Sequence, residues 1–161
     1  MEKTPIEMIK ILPDEEFSTV KLFVELGEKL DCKNKVRFAP AHKTWKCVFS
    51  RTKPTRTLFT IECTETKWHI KACLWYIDAY SDYFNKCSEK IRNEIINAYD
   101  CKFCNKHCKG GAGFTFEGKQ YQKCVGCVFY FSKLCKDDWY SLISLIAKEY
   151  EVTNNKNRNY L

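Results

Sequence analysis

The chain reads as an α+β domain, with helices packed on an antiparallel sheet. Three observations predict this class. Period-two alternation of large and polar side chains recurs in three runs between Thr44 and Leu74. Helical periodicity precedes those runs and returns after them. A shorter hairpin, a strand and a last helix then repeat the order of strands followed by helix.

The first element expected is a helix over PDEEFSTVKLFVELGEKL. Pro13 and Asp14 open it, Glu15 and Glu16 sit where the helix dipole favours acids, Phe17, Val20, Phe23 and Val24 form an apolar stripe, and Gly27 offers a stop. Asp31 to Thr44 is polar and basic and interrupted by Pro40, which predicts a loop with a short extended piece at Val36–Phe38. TWKCVFSR, RTLFTIEC and KWHIKACL alternate with period two and are separated by breakers, as in an antiparallel meander. Near Asp78 the pattern turns helical: Tyr80, Tyr83, Phe84 and Cys87 share one face, and Ser88 can cap a second helix with Ile91, Ile95 and Ala98 inside. GFTFEGKQYQKC reads as a hairpin turning at Glu117-Gly118, and VFYFSKL as a strand. Asp137-Asp138 opens a last helix with Trp139, Leu142, Ile143, Ile146 and Tyr150 inward. Residues 1–150 are thus expected to form one domain, and the asparagine-rich residues 151–161 a flexible tail.

Composition narrows the class. Hydrophobic residues make up 45% and aromatics 15%, enough for a packed core. No apolar run approaches the ~20 residues of a membrane span, and the opening MEKTPIEMIK lacks the apolar segment of a secretory signal. A cytoplasmic setting with reduced thiols is expected, and the odd total of 11 cysteines fits a complete disulfide framework poorly. Net charge is +7, concentrated in residues 29–71 and 101–136. Only Arg37, Arg51, Arg56, Arg92 and Arg158 of the 27 basic residues are arginine. Scattered lysine is the ordinary composition of a solvated surface, whereas specific phosphate recognition favours guanidinium forks.

The segment CKFCNKHCKGGAGFTFEGKQYQKCVGC carries the clearest chemistry. Cys101 and Cys104 form one C-x2-C pair, Cys124 and Cys127 another, at a spacing suited to a ribbon-like zinc site. Two residues between cysteines let a tight turn aim both sulfurs at one point. Two such turns face to face supply the tetrahedron of thiolates that zinc prefers. The predicted hairpin would return the second turn to the first, giving a zinc-ribbon-like hairpin in the C-terminal half, fastened to the helix ending near Tyr99. A set including Cys108, or His107 in place of a cysteine, competes with the two paired turns, and a metal-free cluster is the third option. Four thiolates leave no open position, so one zinc per chain is expected to be structural, with Lys102, Lys106, Lys109 and Lys123 offsetting its charge.

Other residues carry weaker signals. Cys32, Cys47, Cys63, Cys73, Cys87 and Cys135 lack paired spacing and read as small buried hydrophobes. His42 and His69 are isolated, and no nucleotide-binding or catalytic motif occurs. Nothing here nominates an enzyme. The dense aromatic set Trp45, Phe49, Trp68, Trp75, Tyr76 and Tyr80 fills a core or lines an apolar pocket. Together these features predict a zinc-stabilised, non-catalytic protein that binds a small molecule or another protein. Two alternatives are a nucleic-acid-binding sheet face carrying Lys46, Arg51, Arg56, Lys67 and Lys71, with Trp45 or Trp68 for stacking, and a redox sensor or enzyme using Cys108 as a lysine-activated thiol.

In the C-terminal half of the chain, the cysteine cluster, Gly118-Lys119-Gln120-Tyr121, the following Lys123-Cys124, the VFYF strand and the last helix from Asp137-Asp138-Trp139 resemble small uncharacterised bacterial proteins that pair a cysteine cluster with a G-K-x-Y-x-K-C hairpin. That resemblance covers about a third of the chain. It implies a domain of unknown function and brings no activity; if Cys108 belongs to the shared pattern, a metal set including it gains weight.

Overall fold

The computed structural model describes residues 3–53, 55–102, 111–124 and 129–158. A short helix, α1 (Pro5–Ile9), comes first, and no helix was expected there. Its signal is the T-x-x-E of Thr4 and Glu7: the Glu7 N–H donates to Thr4 Oγ1 at 3.2 Å, and the Thr4 N–H donates to Glu7 Oε2 at 2.8 Å. Helix α2 (Asp14–Lys29) follows, acidic in its first turn as the dipole favours. Gly27 lies inside α2 rather than ending it. A side chain there would collide with the Phe49 ring, so this glycine allows close packing of helix on sheet.

The stretch read as a loop contains an edge strand, β1 (Lys33–Ala39). Its own side chains are mostly exposed, so the alternation that marks a half-buried strand is nearly invisible; seven register pairs with β2 (Thr44–Thr52) fix it instead. β3 (Thr55–Cys63) and β4 (Trp68–Ala72) complete the expected meander. A 3-10 turn (Ile77–Tyr80) leads into α3 (Ser81–Lys86). Helix α4 (Glu89–Ile96) follows, capped by the Ser88 hydroxyl. Strands β5 (Ala112–Phe116) and β6 (Lys119–Lys123) form the predicted hairpin. Its turn residues Glu117 and Gly118 have φ of 49° and 76°, the left-handed pair of a tight two-residue connection. Strand β7 (Phe129–Phe131) then pairs antiparallel with β4, and the main sheet has the order β1-β2-β3-β4-β7.

The last helix, α5, spans Lys136–Arg158 and so continues through most of the stretch expected to be a flexible tail. Tertiary contacts override the asparagine-rich composition. The Thr153 hydroxyl is buried and donates to the Glu149 carbonyl at 2.7 Å, Asn154 Oδ1 accepts from Arg51, and the Lys156 ammonium lies 4.0 Å from the centre of the Tyr76 ring.

The sheet has two unlike faces. One carries Cys47, Phe49, Phe59, Ile61, Ile70, Ala72 and Phe131, all buried against α2 and α5. Tyr83, expected inside, is exposed, while its neighbours Tyr80, Phe84 and Cys87 are buried. The opposite sheet face carries Lys46, Val48, Thr60, His69 and Lys71, which are half-buried by one another, and Lys33, Lys35 and Arg37, which are exposed. No helix of the described residues is long and apolar enough to cross a membrane.

Candidate functional site: a cleft at the end of the sheet

The β3–β4 connection is pinned by Thr64: its N–H donates to the Lys67 carbonyl at 2.8 Å, and its hydroxyl oxygen accepts from the Lys67 N–H at 3.1 Å. This sets Trp68 at the start of β4, opposite Cys63, where the sheet ends. Trp139 arrives from the first turn of α5 and stacks on Trp68, with ring centres 4.4 Å apart and planes inclined by 30°. The Trp68 indole N–H donates to the Glu16 carboxylate on α2, so three elements fix this one ring. Behind it, Trp139 meets Phe23 edge-on at 5.7 Å, Phe23 meets Phe59 at 6.3 Å, and Phe59 stacks on Phe49 at 4.6 Å. A continuous aromatic series therefore runs from the core to Trp68, its outermost member.

Trp68 and Trp139 line a cleft of about 1000 Å³. Its other walls are the N-terminal half of α2, the Thr64–Lys67 connection and the segment from Tyr130 to Tyr140. The volume falls within the range that holds small organic ligands, and the lining mixes the apolar Leu22, Trp68, Leu134 and Trp139 with hydroxyls (Ser18, Thr19, Thr44, Ser132) and with charged Glu15, Glu16, Glu62, Lys67, Lys133 and Lys136.

At one lip lies a charged constellation. Lys46, Glu62 and His69 are consecutive partners across β2, β3 and β4. Glu62, only 7% exposed, accepts hydrogen bonds at Oε1 from Lys46 Nζ at 2.8 Å and Lys71 Nζ at 2.9 Å, while Oε2 lies 3.0 Å from His69 Nε2. That last approach is off the hydrogen-bonding direction, leaving His69 Nε2 without a hydrogen bond. Burial raises the Glu62 pKa, but the hydrogen bonds and charges of the two ammoniums outweigh it and hold the carboxyl at about 2. Burial lowers the His69 pKa more than the Glu62 charge raises it, so the imidazole is neutral at neutral pH. The acid locked between two lysines makes this a structural ion cluster with unspent positive charge.

The residues singled out from sequence separate. Lys46 and Lys71 share the open face, whereas Arg51 and Arg56 face each other on the helix-covered side. Arg51 is buried, bonds Asn154 and the Lys53 carbonyl, and lies over Tyr150; Arg56 lies over Trp75 at 4.1 Å. Lys67 is exposed just ahead of β4. Trp45, in contact with Phe38 and Lys3, and Trp68 both belong to the helix side. These seven do not make one patch. Sequence reading missed Trp139 as a partner of Trp68, since helical periodicity marks it only as core, and missed Glu149, which is treated below.

Of the cysteine segment, Cys104, His107, Cys108 and Cys127 lie outside the described residues. Cys101 and Cys124 are described and half-buried. The Cys101 N–H donates to the Gln122 carbonyl at 2.8 Å, and the Cys124 N–H to the Tyr99 carbonyl at 2.9 Å, enclosing the bridge Asp100↔Lys123. Residues flanking a paired position point to the opposite face from it, so Cys101 and Cys124 share one face as diagonal neighbours, roughly 7–8 Å apart along the ladder. Lys123, expected to offset zinc charge, instead points to the other face, where its buried ammonium bonds Asp100 Oδ1 at 2.7 Å and the Ala98 carbonyl at 3.0 Å. Among the described residues no group of three or more His, Cys, Asp or Glu could hold a metal ion. Burial pushes the thiols of Cys47 and Cys73 up to about 12 and those of Cys63 and Cys87 to about 11. Cys47, Cys63 and Cys87 are buried as expected, Cys32 and Cys73 are half-buried, and Cys135, expected to be buried, is exposed.

Comparisons with protein-family models, with curated proteins and with solved structures find no match to this chain.

Proposed function

We propose that the protein is a zinc-stapled, non-catalytic binding module that takes a small planar aromatic ligand in the cleft at the end of its sheet. The stacked Trp68–Trp139 pair on the cleft wall carries this reading. Trp68 is held by Glu16 and Trp139 in a fixed plane, so a flat ligand meets a preorganised surface and loses little binding energy to ordering it. The non-catalytic part rests on the state of the reactive groups: Glu62 is locked by two ammoniums, and burial raises the thiol pKa values of Cys47, Cys63, Cys73 and Cys87.

The test is ligand-detected NMR with a set of planar aromatic fragments, compared with aliphatic fragments of equal size. Aromatic binders should quench tryptophan fluorescence, and their binding should fall at least tenfold in Trp68→Ala. If no fragment distinguishes the wild type from Trp68→Ala, the reading fails.

The zinc is proposed at the cysteine segment, with Cys101 and Cys124 as two of its ligands and Cys104 with Cys127, or Cys108 or His107 in place of one, as the others. The same-face placement of Cys101 and Cys124 supports it. Such an ion closes its own coordination shell and fastens the β5–β6 hairpin to the chain that leaves α4. A reducing, cytoplasmic setting keeps the thiols available for it.

A further inference from the structure

The face of the sheet turned away from α2 and α5 is basic, and its β1 row is exposed. Register places Lys33, Lys35 and Arg37 of β1, Lys46 of β2 and Lys71 of β4 on it together. Glu62 is the sole acid among the described strand residues of that face, so its formal charge is five positive against one negative, +4. Lys46 and Lys71 both spend one donor on the same Glu62 oxygen and keep the others. At the far edge the Tyr130 ring is 48% exposed and lies against the His69 ring at 4.4 Å, giving a supported aromatic surface on an otherwise polar face.

We infer that this face binds single-stranded nucleic acid, with the β1 basic row on the phosphates and Tyr130 stacking on a base. Charge complementarity selects a polyanion. Alternate residues of a strand are roughly 7 Å apart, so Lys33, Lys35 and Arg37 present cations at a spacing close to that of successive phosphates in an extended single strand. The exposed ring selects unpaired bases over an acidic peptide, because every base offers a face to stack and a carboxylate does not. Tyr130, Glu62 and His69 also border the aromatic cleft, but the β1 row of Lys33, Lys35 and Arg37 lies outside it, so the charge-reversal test at β1 does not depend on the cleft.

The experiment is fluorescence anisotropy of the full chain with a labelled 12-nucleotide single strand of mixed sequence, RNA and DNA. About four phosphate contacts predict a log–log salt slope of about −3. Lys35→Glu with Arg37→Glu, both exposed on the edge strand, should weaken binding at least tenfold. Lys86→Glu with Lys90→Glu, the same charge change on α3 and α4, should have a much smaller effect. Tyr130→Ala should weaken binding about tenfold without changing the salt slope. Retained melting temperatures show that the variants fold. Absence of binding at about 50 mM salt, equal losses in the two charge-reversed pairs, equal binding of a duplex of the same sequence, or displacement by polyglutamate as efficient as by unlabelled single strand would each overturn the inference.

Discussion

Tyr80 donates its hydroxyl proton to Glu149 Oε2 at 2.7 Å, joining the turn before α3 to the middle of α5 through two groups withdrawn from solvent. The same carboxylate accepts the Trp75 N–H at 2.9 Å and the Tyr76 N–H at 3.1 Å, so it satisfies the backbone where the sheet hands over to the helices. Tyr80→Phe should cost about 1–2 kcal/mol and Glu149→Ala more, because the latter leaves buried donors unpaired. Urea unfolding measures both.

Burial raises the Glu149 pKa despite those hydrogen bonds, the Tyr80 bond being the largest opposing effect. A carboxyl whose folded pKa lies above its unfolded value favours the folded state while protonated. Its contribution is therefore largest below the unfolded value and diminishes as pH rises through the folded one. Glu149→Gln should flatten the decline in stability as pH rises above the ordinary carboxylate value of 4.5. An unchanged pH profile in that variant would show that the carboxyl is not strained by its burial.

Glu62 should behave in the opposite sense. Its folded pKa of about 2 lies below the ordinary value of 4.5, so its stabilisation is fully present above about pH 4.5 and is lost as pH falls towards 2. Glu62→Gln should remove a large part of the acid sensitivity and leave Lys46 and Lys71 repelling each other. A melting-temperature series between pH 2 and pH 5, wild type against variant, reads this directly.

Gly27→Ala should destabilise by about 1–3 kcal/mol through overpacking against Phe49, although alanine is the better helix former. The double variant Gly27→Ala with Phe49→Leu should recover part of that loss. A stabilised single variant would mean the ring moves aside freely.

Elemental analysis of the purified chain should give about one zinc and no visible absorption. Cys101→Ser or Cys124→Ser should each abolish stoichiometric zinc and lower the melting temperature, with hydrogen exchange rising first in the β5–β6 hairpin. Full zinc content in both variants would exclude these two ligands; iron with visible absorption would replace a staple by redox chemistry.

The fold was most legible where one face is wet and the other dry. β2, β3 and β4 alternate because one face meets the core and the other water, α2 shows its acidic first turn in the sequence, and α4 its Ser88 cap. β1 was hidden because an edge strand on an open face needs no apolar period, and the end of α5 because its helix is kept by Arg51 and Tyr76 from distant strands and turns. The cleft was half legible. Trp68 stood out among the aromatics, but its partner Trp139 lies 71 positions away. Alternation within β2 already puts Arg51 out of phase with Lys46, but Arg56 joins Arg51 on the inner face only because of the register shift between Phe49 and Ser50, which the alternation of β3 does not disclose.

The stacked indoles at the cleft also have an optical consequence. Two identical chromophores 4.4 Å apart and inclined by 30° couple their electronic transitions, so Trp68 and Trp139 should give a paired positive and negative band in circular dichroism that neither indole produces alone. Replacing either tryptophan by phenylalanine should erase the pair. A flat molecule settling on Trp68 would change its shape, giving the cleft a built-in spectroscopic gauge of occupancy.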